Sequence, residues 1–266
     1  MQLRSAKGRQ RLSEVLQRNP DLISVREAAA TLGVSWGEAS KLLARWAAQG
    51  WLKRIRRGLY APIPLAAASS EQVLADPWIL VPRLFEPAYV GGWTATEHWG
   101  FTDQLFRSVC VFTGKPVRKA DVTIQSIPFH LKHIPESARF GLAVVWRDNV
   151  RVAVSDRTKT IVDILDDPSA GGGIRHVALC LESYVRSEDF EPKRLLSYVE
   201  KQGNGAVFKR LGYLMERFDG LDAKLAAQFR RRLTKGNSKL DPSLPADKLV
   251  TRWRLWVPSG WAASRT

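Results

Sequence analysis

The amino-acid sequence predicts an α+β protein with two domains, a small N-terminal one and a larger mixed α/β one. Three observations predict this class. Residues 1–65 contain three segments with helical periodicity and then two short β-rich runs. Residues 66–70 are small and predict a linker, and beyond them β-rich runs alternate with helical patterns. We therefore expect domains at residues 1–65 and 66–266.

The helices of the N-terminal domain are marked by their start signals. Residues 8–18 carry apolar side chains at helical spacing and predict a first helix. Ser24 and Glu27 have the spacing of a capping box, in which two side chains bond each other's backbone, and predict a short second helix. Ser35 and Glu38 repeat this spacing and predict a third helix from about residue 36 to residue 49.

The second and third helices, with Gly33 between them, have the layout of a helix-turn-helix. Apolar residues of the third helix recur at spacings of three and four, so its opposite face is left to solvent. That face is basic and carries short side chains, which suits contact with base edges and phosphates in a major groove. We expect DNA contacts from Ser35, Trp36, Ser40, Lys41 and Arg45.

A basic hairpin follows the third helix. Two β-like runs, residues 51–55 and 58–61, are joined across a tight turn that Gly58 can make. The hairpin carries four cations that would lie on phosphates or in the neighbouring minor groove: Lys53, Arg54, Arg56 and Arg57. Helices and hairpin together predict a winged helix-turn-helix that binds double-stranded DNA. The alternative is a winged helix that binds protein, with a solvated basic hairpin.

The distribution of charge favours a polyanionic partner. The chain carries a formal net charge of +15, and residues 1–65 hold 12 Lys and Arg against 4 Asp and Glu. Residues 230–254 hold 8 against 2, whereas the middle of the chain is close to neutral. Released counterions favour binding of such basic segments to phosphate. A second cluster is therefore either a solvated helix end or a second DNA contact: Arg230, Arg231, Arg232 and Lys235.

The larger domain shows both periodicities. Strands are predicted at 109–113, 122–127, 142–146 and 150–154, helices at 94–99, 158–165, 176–218 (broken at 203–205) and 221–233, and an edge strand at 253–257.

Composition excludes other classes of protein. No run approaches the roughly 20 apolar residues that span a bilayer, and the first residues lack the apolar run of a secretory signal. Cys110 and Cys180 are expected to be reduced thiols. No metal-ligand spacing or nucleophile pattern stands out, so we expect no cofactor, no metal and no catalytic residue. These features predict a soluble cytoplasmic protein without a membrane partner.

Several runs, in this order behind the basic hairpin, resemble the AbiEi family of antitoxins and transcriptional regulators of type IV toxin–antitoxin systems. They are Arg57-Gly58-Leu59-Tyr60, the run from Val154 to Asp163 with the form Ser-Asp-x-x-Lys-Thr-x-x-Asp, Arg210-Leu211-Gly212-Tyr213-Leu214, and Arg252-Trp253-Arg254-Leu255. The resemblance covers nearly the whole chain. It implies that the N-terminal domain binds inverted repeats in its own promoter and represses it, and that the C-terminal domain counteracts a nucleotidyltransferase-like toxin.

The resemblance also marks candidate functional residues in the antitoxin domain: Ser155, Asp156, Lys159, Thr160, Asp163 and Arg210. By residue type alone, the first five are either a polar site at a helix start, where free N–H groups favour anions, or a local helix cap. The alternative function is a DNA-guided nuclease-like domain. It would require an acidic or metal-binding cluster around Asp156 and Asp163.

Overall fold

The computed structural model describes residues 2–63, 76–218 and 222–262, and it confirms the mixed α/β fold class. The chain divides into two compact units. The first consists of Met1–Leu80 together with two later segments, Val122–Pro128 and Trp146–Val152, and the remaining residues form the second. The predicted linker at 66–70 lies outside the described residues, and the boundary at residue 65 stays a prediction.

The first unit has three helices and a small antiparallel sheet of strand order β1-β3-β2. Its elements are α1 (Gln2–Arg18), β1 (Ile23–Ser24), α2 (Val25–Leu32), α3 (Trp36–Ala48), β2 (Leu52–Arg56) and β3 (Leu59–Pro62). The first helix begins earlier than the predicted residue 8, β1 was not predicted, and the other elements lie within two residues of their predicted bounds.

The start and end of α2 follow from local chemistry. Ser24 Oγ accepts a hydrogen bond from the Glu27 backbone N–H at 3.1 Å, and the Glu27 carboxylate accepts one from the Ser24 N–H at 2.8 Å. This is the predicted capping box. Gly33 ends the helix in the left-handed region at φ 62°, which suits a residue without Cβ. The turn between α2 and α3 is therefore set by the sequence itself.

A compact core joins the helices of the first unit to its sheet. Val15, Ala28, Leu43 and Trp46 are buried from three different helices, and Tyr60 is buried from β3. The predicted apolar face of α3 thus packs inward. Its opposite face is left to solvent.

The second unit is built around a six-stranded mixed sheet of order β6-β7-β5-β4-β9-β8, whose hairpin ends at 122–128 and 146–152 are counted with the first unit. The strands are β4 (Ala88–Val90), β5 (Val109–Thr113), β6 (Asp121–Ile124), β7 (Ile127–His133), β8 (Leu142–Arg147) and β9 (Val150–Ser155). The helices are α4 (Leu80–Leu84), α5 (Gly92–His98), α6 (Arg157–Asp166), α7 (Ile174–Arg186), α8 (Pro192–Gln202), α9 (Gly205–Arg217), α10 (Ala223–Arg231) and α11 (Ser259–Ala262). No helix in the described ranges has the length and apolar character that crossing a bilayer needs.

The predicted single strand at 122–127 is wrong. The chain turns at Gln125 and Ser126, so that β6 ends at Ile124 and β7 begins at Ile127. Both turn residues have positive φ, 52° and 65°, as a two-residue hairpin turn of mirror-image type requires. Such turns normally use Asn or Gly, and neither residue is present here, so the usual turn signal is missing.

The predicted edge strand at 253–257 is also wrong in its position. The strand is β12 (Leu255–Val257), and it lies in the centre of a three-stranded sheet between β10 (Ser238–Lys239) and β11 (Lys248–Val250). Trp253, just before it, is buried against α9 at Gly212, where an added Cβ would lie only 2.1 Å from the indole. The contact between Trp253 and Gly212 places β12 against α9. The central position of β12 follows from its pairing with β10 and β11, which residue spacing alone does not predict.

Candidate nucleic-acid interface

The solvent face of α3 carries the predicted reading residues. Trp36 is 62% exposed although it is a large apolar side chain. Lys41 and Arg45 are exposed and Ser40 is half-buried on the same side of the helix. Trp36 is one of several exposed large apolar side chains, and it is distinguished by its place at the start of a basic helix face.

Ser35 has a structural role at the start of this helix. Its Oγ accepts a hydrogen bond from the Glu38 N–H at 3.2 Å, which satisfies one of the free donors of the first turn. Among the described residues, the reciprocal bond from the Glu38 side chain that a full capping box needs is not formed, so the predicted second capping box is only half present. A capping hydroxyl still has its hydrogen to donate, so Ser35 can contact a phosphate while it caps α3.

The wing is the hairpin of β2 and β3. Along β2 the buried residues Leu52 and Ile55 anchor the strand, whereas Arg54 and Arg56 are exposed and Lys53 is half-buried. Arg57 is exposed at the turn. The sequence pattern thus produces one apolar and one cationic side of a single short strand.

Two features fix the tip of the wing. Gly58 turns the chain at φ 81°, a conformation that favours glycine, and its carbonyl accepts a hydrogen bond from the Val25 N–H at 3.1 Å. A β-bulge follows within β2, since Arg54 pairs with Tyr60 and Arg56 already pairs with Leu59. The backbone of Ile55 is therefore left out of the ladder.

One residue at this site was missed by sequence reasoning. Gln125 lies far along the chain, in the β6–β7 turn, yet its side chain is bonded to backbone carbonyls of β2 within the first unit. Its partners are 70 and 71 positions away in sequence, and no local pattern encodes such a pairing. The one signal available was the polar pair Gln125-Ser126 inside an otherwise alternating run.

Electrostatically, the surface formed by α3 and the wing is a set of open cations. Among the described residues, no ion pair neutralises Lys41, Arg45, Lys53, Arg54 or Arg57. Cations left without acidic partners on one surface attract phosphate and release its counterions.

Residues 10–63, which include both helices of the helix-turn-helix and the wing, match the family model described as transcriptional regulator, AbiEi antitoxin. This segment, about a fifth of the chain, is therefore similar to the AbiEi family. The AbiEi match begins within α1 and ends just after β3, so it coincides with the N-terminal elements of the first unit.

The whole chain is also similar in fold to a solved structure, the RV2827C protein from Mycobacterium tuberculosis. The two share 16% sequence identity at a TM-score of 0.64, with 94% of this chain and 91% of the other covered. At this identity the likeness concerns the fold, and it extends over both units. No curated protein matches the chain.

The six candidate residues of the antitoxin domain are mostly buried. Ser155, Lys159 and Thr160 are fully buried, Asp163 is 2% exposed and Arg210 is 4% exposed. Asp156 is the exception, with 17% of its side chain exposed. This part of the chain therefore presents little of its polar motif to a partner.

A buried ion pair lies at the centre of the motif. Lys159 Nζ donates to Asp163 Oδ1 at 2.5 Å and to Gln202 Oε1 at 2.9 Å, and Tyr89 Oη donates to the other carboxylate oxygen at 2.9 Å. Burial raises the pKa of Asp163, and the charge and hydrogen bonds of Lys159 and Tyr89 oppose that rise. Burial and the neighbouring Asp163 raise the pKa of Tyr89 well above its usual value, so the phenol stays protonated as a donor.

Asp156 supplies the predicted helix cap. Its Oδ1 accepts from the Lys159 N–H at 2.8 Å, which makes Asp156, and not Ser155, the N-cap of α6. Its other oxygen accepts from Tyr198 Oη at 2.9 Å and from the Arg194 guanidinium at 3.0 Å. The Ser155 hydroxyl is instead bonded to Thr160 Oγ1 at 2.7 Å. Asp156 thus makes the cap, while the other polar side chains of the motif are bonded within the fold.

Arg210 holds two elements of the second unit together. Its guanidinium donates to the carbonyls of Leu165 and Asp166 at the end of α6, and to those of Lys239 and Leu240 at β10. All three guanidinium nitrogens are engaged by backbone. Arg210 is a structural clamp in this arrangement.

The second basic cluster is partly neutralised. Arg232 is paired with Glu200, and Arg230 lies 3.9 Å from Glu216, which also binds Arg252. Arg231 and Lys235 are exposed and have no ion pair among the described residues. Of the four cations predicted from the sequence, only Arg231 and Lys235 are therefore without an acidic partner among the described residues.

The nuclease-like alternative required an acidic or metal-binding cluster near Asp156 and Asp163. The part of the chain that the structure describes contains no group of three or more His, Cys, Asp and Glu side chains that could hold a metal ion. Instead, each of these two carboxylates binds a cation and a tyrosine. Nothing in the geometry favours this alternative.

Proposed function

We propose that the protein is a cytoplasmic, DNA-binding autorepressor and antitoxin of a type IV, AbiE-like toxin–antitoxin system. It binds double-stranded DNA at inverted repeats in its own promoter, and it counteracts a nucleotidyltransferase-like toxin encoded beside it. The observation that carries the proposal is the open cationic surface of α3 and the wing within the AbiEi-matched segment.

In this proposal α3 enters the major groove. Ser40 and Lys41 contact base edges, while Ser35 and Arg45 contact phosphates at either side. Trp36 offers an apolar surface for contact with thymine methyl groups or sugar. The wing cations Lys53, Arg54, Arg56 and Arg57 lie along the neighbouring backbone, where they add affinity without sequence preference.

Titration of the protein with duplexes from its own promoter tests this proposal, with anisotropy measured at several salt concentrations. The Arg56→Ala/Arg57→Ala double variant should weaken binding to all duplexes and lower the salt slope by about two phosphate contacts. Lys193→Ala/Lys224→Ala is the matched control, because it removes two exposed cations from the second unit. An unchanged salt slope in the wing variant, or an equal loss in the control, would remove the wing from the interface. No shift of any duplex at low salt would favour the protein-binding winged helix instead.

A second DNA contact is proposed at the α10 end, by Arg231 and Lys235 with their paired neighbours Arg230 and Arg232. Only the two open cations can bind phosphate without first breaking an ion pair. Arg231→Ala/Lys235→Ala should therefore lower the affinity at low salt. If the affinity stays at the parental value there, the cluster is a solvated helix end.

The antitoxin part of the proposal rests on the similarity of residues 10–63 to the AbiEi family and needs a genetic test. Co-expression with the adjacent nucleotidyltransferase-like reading frame should restore growth that the toxin alone arrests. Among the six candidate residues, Asp156 reaches solvent, as does its partner Arg194, and these two are the ones to replace first. Loss of rescue by Asp156→Asn in a protein that still folds and binds DNA would support a role of this site. Growth arrest that the parental protein does not relieve would contradict the antitoxin role.

A further inference from the structure

The β6–β7 turn adopts an uncommon backbone at two consecutive residues. Gln125 has φ 52° and Ser126 has φ 65°, the left-handed region in which a side chain crowds the backbone. Turns of this kind are dominated by Asn and Gly, which tolerate that conformation. Non-glycine residues in a strained conformation are held there by surrounding contacts, and they cluster at functional sites.

The contact that holds Gln125 is with the wing. Its Nε2 donates to the carbonyl oxygen of Arg54 at 2.8 Å and to that of Ile55 at 3.3 Å. These two carbonyls lie at the β-bulge of β2, between the pairs Arg54–Tyr60 and Arg56–Leu59. A bulge leaves backbone groups without partners in the ladder, and the amide of Gln125 supplies one.

Because of where the bulge lies, the contact of Gln125 affects the orientation of the wing cations. The bulge lies between Arg54 and Arg56, two of the exposed wing cations, and re-aims the side chains on either side of it. A loose bulge would let the strand slip to the regular register, and a slip by one residue turns side chains to the opposite face. Fixing the bulge therefore fixes which way the wing cations point.

We infer that Gln125 is a positioning residue for DNA binding, which holds the bulged wing in its cation-presenting register through the Arg54 and Ile55 carbonyls. The effect on DNA affinity rests on the proposed DNA-binding function. The clamp, which is the contact of Gln125 with the Arg54 and Ile55 carbonyls, does not depend on that function. Gln125 touches no DNA in this scheme and acts through the wing backbone.

A matched pair of variants separates the clamp from the strain. Gln125→Gly and Ser126→Gly each replace an L-residue in the left-handed region with glycine, but only the first removes the contact with the wing. Ser126 is exposed and makes no hydrogen bond among the described residues. Gln125→Glu is the third variant, because it keeps the size of the side chain and replaces the donating amide with an acceptor.

The expected results differ between two measurements. Thermal unfolding midpoints of both glycine variants should equal or exceed that of the parent. Hydrogen exchange of the wing amides should accelerate in Gln125→Gly and Gln125→Glu, and not in Ser126→Gly. The dissociation constant for a promoter duplex should rise about fivefold in the same two variants, as expected for the loss of one hydrogen bond.

Equal wing exchange in all three variants and the parent would overturn the clamp. Faster exchange without a change in affinity would overturn the positioning role. If the parent itself binds no duplex, the proposed function fails, and the exchange data still decide whether Gln125 holds the wing.

Discussion

Two polar stretches of the sequence end in opposite environments: the wing at residues 53–57 and the start of α6 at residues 155–163. The wing is rich in cations and the start of α6 in charged and hydroxyl side chains, and both stood out as candidate functional motifs. In the wing the arginines are exposed, whereas Lys159 and Asp163 are buried and bonded to each other. Residue type identifies a polar motif, but only burial and partners show whether it serves the fold or a ligand.

Because the wing is exposed and the α6 motif is buried, the two stretches contribute differently to the stability of the fold. Exposed cations contribute little to the folded state and remain available to a polyanion. A buried pair has lost its hydration and depends on its partner for compensation. Substitutions in the wing should therefore change binding, and substitutions at α6 should change unfolding.

The largest effect is expected for Lys159→Met. Removing the ammonium leaves the buried Asp163 carboxylate with only the Tyr89 hydroxyl, and breaking a buried pair in this way costs about 3–5 kcal/mol of the free energy of unfolding. Denaturant unfolding measures it. In the double variant Lys159→Met/Asp163→Leu most of that loss should be recovered.

The comparison would break if Lys159→Met unfolded like the parent and yet failed to relieve toxin arrest. The buried pair would then be a functional group after all. A loss of stability that the double variant restores would instead assign the pair to the fold.

A smaller effect, on binding alone, is expected for Lys41→Ala. A side chain that reads a base edge contributes about 1–3 kcal/mol of discrimination, so the variant should prefer its operator less strongly at one base position. Arg57→Ala should weaken binding to every duplex by a similar factor. Titration with single-base operator variants measures both, and equal behaviour of the two variants would contradict the assignment of Lys41 to a base.

The smallest effect is expected for Ser35→Ala. The loss of one helix cap costs about 1 kcal/mol, and Ser24→Ala should cost at least as much because the Ser24 cap is reciprocal. Denaturant unfolding compares the two. A larger loss of DNA affinity in Ser35→Ala than in Ser24→Ala would show that Ser35 also binds phosphate, since both variants lose a cap.

How far the sequence predicts this structure depends on the distance between interacting residues. The caps at Ser24 and Asp156 are bonds across three positions. The spacing alone predicted the first, and a helix cap was one of two alternatives for the motif that contains the second. The exposed face of α3 follows from helical periodicity. The helices and strands of the AbiEi-matched segment could be predicted from the sequence because local residues define them.

The features that were missed are non-local or lack a side-chain signal. The β6–β7 turn has no Asn or Gly, and so one strand was predicted where there are two. The central position of β12 depends on its pairing with β10 and β11. The burial of Arg210 depends on carbonyls about 30 and 45 positions away, which no local pattern contains.

The discontinuity of the first unit has a consequence for its biosynthesis. Chains emerge N-terminus first, at about 5–20 residues per second. The helices and wing leave the ribosome well before Gln125, which means that for several seconds the nascent wing has its bulge uncovered. The first unit is complete only after the segments at 122–128 and 146–152 have been synthesised, so truncated translation products lack the finished wing. Premature termination therefore yields fragments that contain the AbiEi-matched segment without its clamp.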